Sequence, residues 1–252
     1  MKKLIYIISF FFLASAPAFA GAEDSLWVKA NNAYSLGEYA NAVDYYRQIE
    51  DNGYMSAKLW YNMGNAYYKM QEDGKAILYY ERALKLDPAN KDVKNNLEIA
   101  KLKTLDKIES VPEFILTTWT KDLRNMMSSD KWAWFGVGMF VLTAVLMLLF
   151  RHAPKTSQRK LSFILACITM VIALLSFIFS LNLRSRVNNT DAGIVLVPVS
   201  NVKSAPNSTG GNLFILHEGT KVEILERVGQ WSRIELSDGR QGWIESEDFE
   251  EI

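Results

Sequence analysis

Cysteine and histidine are scarce in this chain of 252 residues, and their scarcity excludes several kinds of chemistry. The one cysteine, Cys167, cannot form a disulfide within the chain, and its apolar surroundings suit a small packing residue. The two histidines lie far apart, His152 in a basic segment and His217 in a turn-like HEG stretch. The sequence also lacks a nucleophile elbow, a phosphate-binding loop and the spacing of metal ligands. We therefore expect no catalytic residues, no metal site and no cofactor, and predict that the chain is not an enzyme.

The chain also has no net charge, because 28 basic residues balance 28 acidic ones. The segments 21–110 and 192–252 are each neutral to acidic. Proteins that bind nucleic acid need a basic face that contacts the phosphates. We therefore expect no nucleic-acid partner.

Two long apolar runs dominate the middle of the chain, at residues 132–150 and 161–183. As α-helices they would extend roughly 28 and 34 Å, against about 30 Å for the hydrocarbon layer of a bilayer. The alternative is a pair of buried helices in a soluble protein, but such helices usually carry a polar face. Here charges occur only at the ends of the runs, at Lys131, Arg151, Lys160 and Arg184. We therefore predict two transmembrane helices.

The connection between the two runs, residues 151–160 (RHAPKTSQRK), contains basic residues and no acidic ones. Short basic loops stay in the cytoplasm, so both flanking segments should face the other side of the membrane. Residues 1–20, MKKLIYIISFFFLASAPAFA, combine two lysines, an apolar core and small residues near Ala20, which is typical of a signal peptide. An uncleaved anchor would give the same topology. We predict an inner-membrane protein with both flanking segments in the periplasm.

The segment before the first apolar run contains a repeat with a period of about 34 residues. A shift of that length aligns Asn31 with Asn65 and Tyr46 with Tyr80. The second copy, residues 57–90, resembles the tetratricopeptide repeat at its signature positions: Trp60, Met63, Gly64, Tyr67, Ala76, Tyr80, Ala83 and Pro88. The first copy, residues 23–56, is a weaker match. Small residues in the pattern suit close helix crossings, and Pro88 suits the end of a helix.

Two repeats need a further helix to cover their apolar face, and residues 91–105 should form it. Apolar residues recur on one side of this segment, at Val93, Leu97, Ala100 and Leu105. We expect an all-α module over residues 21–110 with about five helices.

Modules of this kind present a groove in which a partner binds. The repeat register predicts that the groove is lined by Trp27, Asn31, Tyr34, Tyr61, Asn65 and Tyr68. The resemblance implies that the two asparagines hydrogen-bond the backbone of a bound peptide. The alternative is that these residues only pack or cap the helices.

Residues 111–131 separate the repeat module from the first apolar run. Their apolar residues recur at helical spacing, at Ile115, Leu116, Trp119, Leu123, Met126 and Met127. We predict an amphipathic helix that lies in the outer interface of this inner membrane, because the first transmembrane helix begins only a few residues later. The alternative is that this face packs against the repeat module or a partner.

Residues 192–252 contain short β-rich runs separated by turn signals. Ser232, Ile234 and Leu236 alternate with polar residues, and Asp238–Gly239 is typical of a tight hairpin. We expect five strands in a small all-β barrel. The stretches NVKSAP, HEGTKVEIL and DGRQGWI resemble a bacterial SH3-like domain, which implies binding of cell-wall peptides or proteins. Trp231 and Trp243 are candidates for a binding face; the alternative places them in the core and at the rim.

The order of the parts describes a multidomain membrane protein: signal peptide, tetratricopeptide module, interfacial segment, transmembrane hairpin and SH3-like barrel. This order resembles the BatE proteins of the Bacteroides aerotolerance operon over nearly the whole chain. The resemblance implies a membrane-anchored adaptor in an envelope complex linked to stress or oxygen tolerance. Its implied partners are membrane proteins with von Willebrand A-type domains and a MoxR-type ATPase. The alternative is an envelope sensor whose barrel binds peptidoglycan.

Overall fold

The computed structural model describes residues 22–109, 111–112 and 114–252 of the chain. The predicted signal peptide, residues 1–20, lies outside the described residues. The chain divides into two compact units, Met1–Tyr54 and Met55–Ile252.

The described part of the first unit contains two helices, α1 (Ala22–Ser35) and α2 (Tyr39–Asp51). Gly37, in the turn between them, has a φ of 81°, a backbone conformation that glycine adopts without steric cost. The two helices bury small, aliphatic and aromatic residues: Ala30, Ala33, Ala42, Val43, Tyr46 and Ile49.

The second unit begins with three helices, α3 (Ala57–Lys69), α4 (Asp73–Leu86) and α5 (Lys91–Lys101). Two of them begin at a capping side chain. The Ser56 hydroxyl accepts a hydrogen bond from the Leu59 N–H at 3.1 Å, and the Asn90 side chain accepts one from the Val93 N–H at 3.2 Å. These side chains satisfy N–H groups that have no partner within the helix.

Helices α3 and α4 approach each other closely at Gly64. A Cβ atom on Gly64 would lie 2.6 Å from two ring carbons of Tyr80, which is buried. The ring therefore occupies the space that a larger residue at position 64 would need. Ala76 and Ala83 of α4 are also fully buried, as the small residues of the repeat pattern predict.

Helix α5 is shorter than the helix predicted over residues 91–105. Val93, Leu97 and Ala100 are buried as predicted, but Leu105 lies beyond the helix end and is 74% exposed. Lys107 donates hydrogen bonds to the carbonyl of Lys101 at 3.1 Å and to that of residue 102 at 3.0 Å. These bonds satisfy carbonyl groups at the C-terminus of α5, where the chain turns away.

Three more helices follow, α6 (Ile115–Arg124), α7 (Ser129–His152) and α8 (Thr156–Asn188). By length and composition, α7 and α8 are long and apolar enough to cross a membrane. The predicted loop 151–160 is mostly helical, because only residues 153–155 separate the two helices. Pro154 explains the short break: the residue before it, Ala153, has an extended conformation with a ψ of 131°, which proline favours at that position.

Small and hydroxyl-bearing residues join α7 to α8. A Cβ atom on Gly136 would lie 3.3 Å from Ser176, and the hydroxyl groups of Thr143 and Thr169 are 2.8 Å apart. The buried positions of α8 recur at helical spacing: Ala166, Thr169, Ala173, Ser176, Ser180 and Leu183. The other faces of both helices carry large apolar side chains that are exposed. This pattern is typical of helices that pair in a membrane.

The chain ends in a seven-stranded antiparallel sheet rather than the five strands expected. Its strands are β1 (Ala192–Val195), β2 (Val199–Lys203), β3 (Asn212–His217), β4 (Lys221–Val228), β5 (Trp231–Glu235), β6 (Gln241–Glu245) and β7 (Phe249–Glu251). Their spatial order is β3-β2-β6-β5-β4-β1-β7. A single turn of 3-10 helix, Ser246–Asp248, precedes β7.

The sheet encloses a small apolar core. Its buried residues are Val195, Val202, Leu216, Val222, Ile234, Leu236, Ile244 and Phe249. The predicted hairpin at Asp238–Gly239 joins β5 to β6, and Gly239 has a φ of 86°. Ile234 and Leu236 point into the core, as their alternation with polar residues predicts.

Candidate binding surfaces

One hydrogen bond recurs in the two repeats. The hydroxyl of Tyr46 donates to the side-chain oxygen of Asn31 at 2.8 Å, and that of Tyr80 donates to Asn65 at the same distance. Each bond joins the first helix of a repeat to its second helix. The carbonyl groups of the two predicted ligand-binding asparagines therefore help to hold each repeat together.

In the second repeat, Asn65 also contacts the covering helix. The side-chain nitrogen of Asn96 on α5 donates to the side-chain oxygen of Asn65 at 2.8 Å and to the Tyr61 hydroxyl at 3.2 Å. Two donors at its oxygen fix the orientation of the Asn65 amide. The side-chain nitrogen of Asn65 donates no hydrogen bond within the part of the chain that the structure describes. The side-chain oxygen of Asn96 accepts none there. Both residues are half-buried, so one donor group and one acceptor group remain for a ligand.

Tyr68 lies beneath a lysine from the segment after α5. The Lys103 ammonium is 3.9 Å from the centre of the Tyr68 ring and 3.0 Å from a carboxylate oxygen of Asp73. The hydrogen bond to Asp73 raises the pKa of Lys103. Tyr61, Asn65 and Tyr68 thus all contact residues of the segment 96–103.

The predicted groove residues of the first repeat contact aromatic residues of the same unit. The ring of Trp27 meets that of Tyr46 at 5.7 Å between centroids, and the ring of Tyr34 meets that of Tyr39 at 5.3 Å. Both contacts are edge-to-face, and both Trp27 and Tyr34 are half-buried. That the predicted residues of both repeats line one groove stays a prediction.

The two tryptophans of the sheet lie on its outer face. Trp231 alternates along β5 with the buried residues Ser232 and Ile234, and Trp243 lies between the buried residues Gly242 and Ile244 of β6. Neither tryptophan belongs to the core, and both are half-buried. The structure therefore brings the two residues to one side of the sheet.

Two cations accompany these tryptophans. Trp243 pairs across the sheet with Lys203 of β2 and with Arg233 of β5. The Lys203 ammonium lies 5.6 Å from the centre of the Trp231 ring, and Arg233 donates to the side chain of Gln241 at 2.8 Å. Glu245 pairs with Trp231 on the same face, so the outer face combines aromatic surface with charges of both signs, a combination that suits a ligand with flat or apolar parts and polar groups.

Comparison with protein families assigns both of these regions. Residues 57–90 match the tetratricopeptide repeat, and residues 198–250 match the bacterial SH3 domain. The chain joins a tetratricopeptide repeat to a bacterial SH3 domain. With the two long apolar helices between them, these matches confirm the predicted fold class. Both are typically non-catalytic binding domains. A comparison with curated proteins gave no match.

The SH3 domain is bound to the second repeat through a buried carboxylate. Glu81 of α4 is 9% exposed and accepts hydrogen bonds from Lys221 of β4 at 2.7 Å and from Lys101 at 3.0 Å. Burial opposes the ionisation of Glu81, but the two lysine charges outweigh it and lower its pKa. Nearby, Arg82 is 2.9 Å from the carboxylate of Glu250 in β7. A charged network therefore links α4 to the sheet.

A second carboxylate joins the SH3 domain to the segment after α5. Asp106 accepts hydrogen bonds from the backbone N–H of His217 at 2.7 Å, from its ring nitrogen Nδ1 at 2.8 Å, and from the hydroxyl of Thr220 at 2.6 Å. Partial burial would raise the pKa of Asp106, but these hydrogen bonds outweigh it and lower the pKa. Ile108 packs against the core of the SH3 domain, and the Val111 N–H donates to the Ser237 carbonyl at 2.9 Å.

No sequence pattern predicts the residues of this contact. Glu81 and Lys221 lie on different domains, and no local pattern pairs residues so distant in sequence. Asn96 carries a clearer signal, because it lies three residues after Val93 within the apolar stripe of α5. A polar residue within such a stripe indicates a partly buried hydrogen bond.

Proposed function

We propose that this chain is a non-catalytic, membrane-anchored adaptor that binds a protein partner at the surface of its repeats. The observation that carries the proposal is the pair of amide groups at Asn65 and Asn96. The free nitrogen of Asn65 can donate to a backbone carbonyl, and the free oxygen of Asn96 can accept from a backbone N–H. An extended peptide offers both groups along its backbone, so this pair suits a peptide better than a small apolar molecule.

The aromatic residues beside this pair support the same proposal. Tyr61 and Tyr68 are half-buried on the same helix, and Ile99 of α5 is 48% exposed. Together they offer apolar contact to side chains of a peptide whose backbone is held by the amides. In the first repeat, Trp27, Asn31 and Tyr34 are proposed to have the corresponding role.

The anchor is proposed to cross the inner membrane twice, with the repeats and the SH3 domain in the periplasm. The contact of the SH3 domain with the second repeat supports this arrangement, since two domains that touch must lie on the same side of a bilayer. The basic residues Arg151, Arg159 and Lys160 beside the short turn at 153–155 favour the cytoplasm for that turn. A reporter that is active only outside the cytoplasm should therefore work after Asn188 and be silent at Thr156.

The physiological role is proposed from the order of the parts, which resembles that of the BatE proteins. On this basis the adaptor assembles an envelope complex linked to stress or oxygen tolerance. The proposed partners are membrane proteins with von Willebrand A-type domains and a MoxR-type ATPase.

The test uses a variant that removes the nitrogen donor of the Asn65 side chain. Asn65→Asp keeps oxygen acceptors for Tyr80 and Asn96 but replaces the nitrogen donor. A photo-crosslinker at position 99 of the full chain, in native membranes, should capture an envelope protein. We expect the variant to recover about tenfold less of it, since an unmet hydrogen bond to a ligand costs about 1 to 3 kcal/mol.

The matched control is Asn95→Asp, which adds the same charge at an exposed position of α5. It should leave recovery unchanged. Equal recovery from Asn65→Asp and the wild type, with unchanged helix content, would show that the amide pair does not hold the partner.

A second candidate function is an envelope sensor that binds peptidoglycan through the SH3 domain. The observation that favours it is the outer face with Trp231, Trp243, Lys203 and Arg233, because peptidoglycan combines sugar rings with acidic peptides. In this case the full chain in detergent should sediment with isolated cell wall, and Trp231→Ala with Trp243→Ala should abolish sedimentation. If the wild type stays in the supernatant, the sensor function is wrong.

A further inference from the structure

Helix α6 carries an apolar face that none of the described residues covers. Its large apolar side chains are exposed: Ile115, Leu116, Trp119 and Leu123, with Met126 just beyond the helix. Trp119 is 64% exposed. At the pitch of an α-helix, the four helical positions fall within about 100° of arc. Thr117, Lys121 and Arg124 lie on the opposite side.

The end of α6 is fixed beside the ends of the two apolar helices. The indole nitrogen of Trp132, near the start of α7, donates to the Arg124 carbonyl at 2.8 Å. The guanidinium of Arg124 donates to the side chain of Asn182 at 3.0 Å. Asn182 lies near the end of the apolar run 161–183 of α8. Helix α6 therefore lies at the level where both helices would leave the hydrocarbon of a bilayer.

We propose that the apolar face of α6 binds the phospholipid bilayer itself, with the helix lying in the interface of the outer leaflet. This proposal rests on the proposed membrane anchoring of α7 and α8. A helix held at that level has lipid as its surroundings wherever protein does not cover it. Its exposed apolar side chains then contact acyl chains, while the opposite side, held by Arg124, faces the ends of α7 and α8.

A helix that lies parallel to the membrane at this position also restrains the partner-binding surface. Residues 55–252 form one compact unit, so a bilayer contact at α6 restrains the same unit that contains Asn65 and Asn96. The peptide-binding surface would be held close to the membrane. Partners that are themselves membrane proteins would then meet it without a long connecting segment.

The experiment measures how two relaxing agents reach spin labels on the full chain in vesicles of equimolar phosphatidylethanolamine and phosphatidylglycerol. Oxygen concentrates in lipid, and a nickel chelate stays in water. A label on the native Cys167, which is exposed on α8, is the reference for lipid contact. In a Cys167→Ser background, Trp119→Cys and Leu116→Cys place labels on the apolar face. Thr117→Cys, at an exposed position on the polar side, is the matched control.

We expect the labels at positions 119 and 116 to be reached by oxygen and shielded from nickel, as at Cys167, and the label at 117 to be reached by nickel. If the labels at 119 and 116 are shielded from both agents, a protein surface covers the face and the proposal is wrong. It is also wrong if nickel reaches them as readily as it reaches position 117. Nickel access at Cys167 would instead overturn the membrane anchoring, and this proposal with it.

Discussion

The two repeats have the same helical frame but different surroundings at the same positions. In the first repeat Tyr34 contacts the ring of Tyr39, the first residue of α2. The second repeat has Asp73 at the position of Tyr39, and Asp73 binds Lys103, which covers the ring of Tyr68. Because Asp73 takes the place of Tyr39, the equivalent tyrosines have different neighbours. Tyr34 contacts an aromatic ring, whereas Tyr68 contacts a lysine.

A second difference lies on the outer helix of each repeat. Glu81, Arg82 and Lys85 of α4 bind the SH3 domain or the backbone near it: Lys85 donates to the carbonyl groups of Asn189 and Ile252. The equivalent residues of α2, one repeat earlier, are Arg47, Gln48 and Asp51. The buried residues thus form the same helix pair in both repeats, whereas the surface residues of α4 allow only the second repeat to bind the SH3 domain in this way.

The largest effect is expected where the repeats differ at their helix crossing. Gly64→Ala would place a Cβ atom 2.6 Å from the Tyr80 ring, so we expect a loss of up to about 3 kcal/mol in local stability. The first repeat has Ala30 at the equivalent position, and Ala30→Gly should cost only about 1 kcal/mol, through helix propensity. Hydrogen exchange of the full chain in detergent micelles measures both. Similar losses in the two repeats would contradict the close approach at Gly64.

Acid should loosen the second repeat from the SH3 domain. The pKa values of Glu81 and Asp106 are lowered in the folded protein. Their contribution to stability is therefore complete above about pH 5 and is lost as the pH falls through the lowered values. Hydrogen bonds to charged groups contribute about 1.5 to 3 kcal/mol, so we expect a loss of about 2 kcal/mol.

The readout for this contact is the exchange rate of the Val111 amide, corrected for the intrinsic effect of pH. Its N–H bonds to the Ser237 carbonyl of the SH3 domain, so it reports the contact directly. Glu81→Gln combined with Asp106→Asn is the control and should remove most of the pH dependence. An equal dependence in the wild type and the double variant would show that other groups are responsible.

The hydrogen bond between asparagine and tyrosine should contribute a similar free energy to local stability in both repeats. Tyr46→Phe and Tyr80→Phe each remove one hydroxyl donor to an asparagine and leave the ring in place. We expect each to lower local stability by about 1 kcal/mol, measured by hydrogen exchange of α1 or α3. No loss in either variant would mean that the bond has no structural role.

The smallest effect is expected at Asp73, the residue that takes the place of Tyr39 in the second repeat. Asp73→Tyr restores the aromatic residue of the first repeat and removes the ion pair with Lys103. Because ion pairs at such exposure contribute about 0.2 to 1 kcal/mol, stability should change by less than about 1 kcal/mol. The pKa of Lys103 should fall toward its ordinary value, which nuclear magnetic resonance titration can follow. An unchanged pKa would show that Asp73 does not raise it.

Local sequence patterns predicted the helices and strands whose structure depends only on neighbouring residues. The lengths of the apolar runs predicted α7 and α8, and the alternation around Ile234 predicted β5 and its buried face. The predicted loop 151–160 was wrong in extent, because charged residues such as Arg151 and Arg159 continue a helix beyond its apolar part. The interpretation of Asn31 and Asn65 was incomplete, because the repeat register does not show which tyrosine each asparagine meets.

By itself, the sequence determined the kinds of elements in this protein, because helix periodicity, strand alternation and apolar length are properties of neighbouring residues. Only the tertiary structure decided how α4, the segment after α5 and the SH3 domain meet. Charged side chains such as Glu81 and Lys221 have no pattern that identifies a distant partner. Their pairing depends on burial and on the distance between their atoms, which only the folded chain establishes.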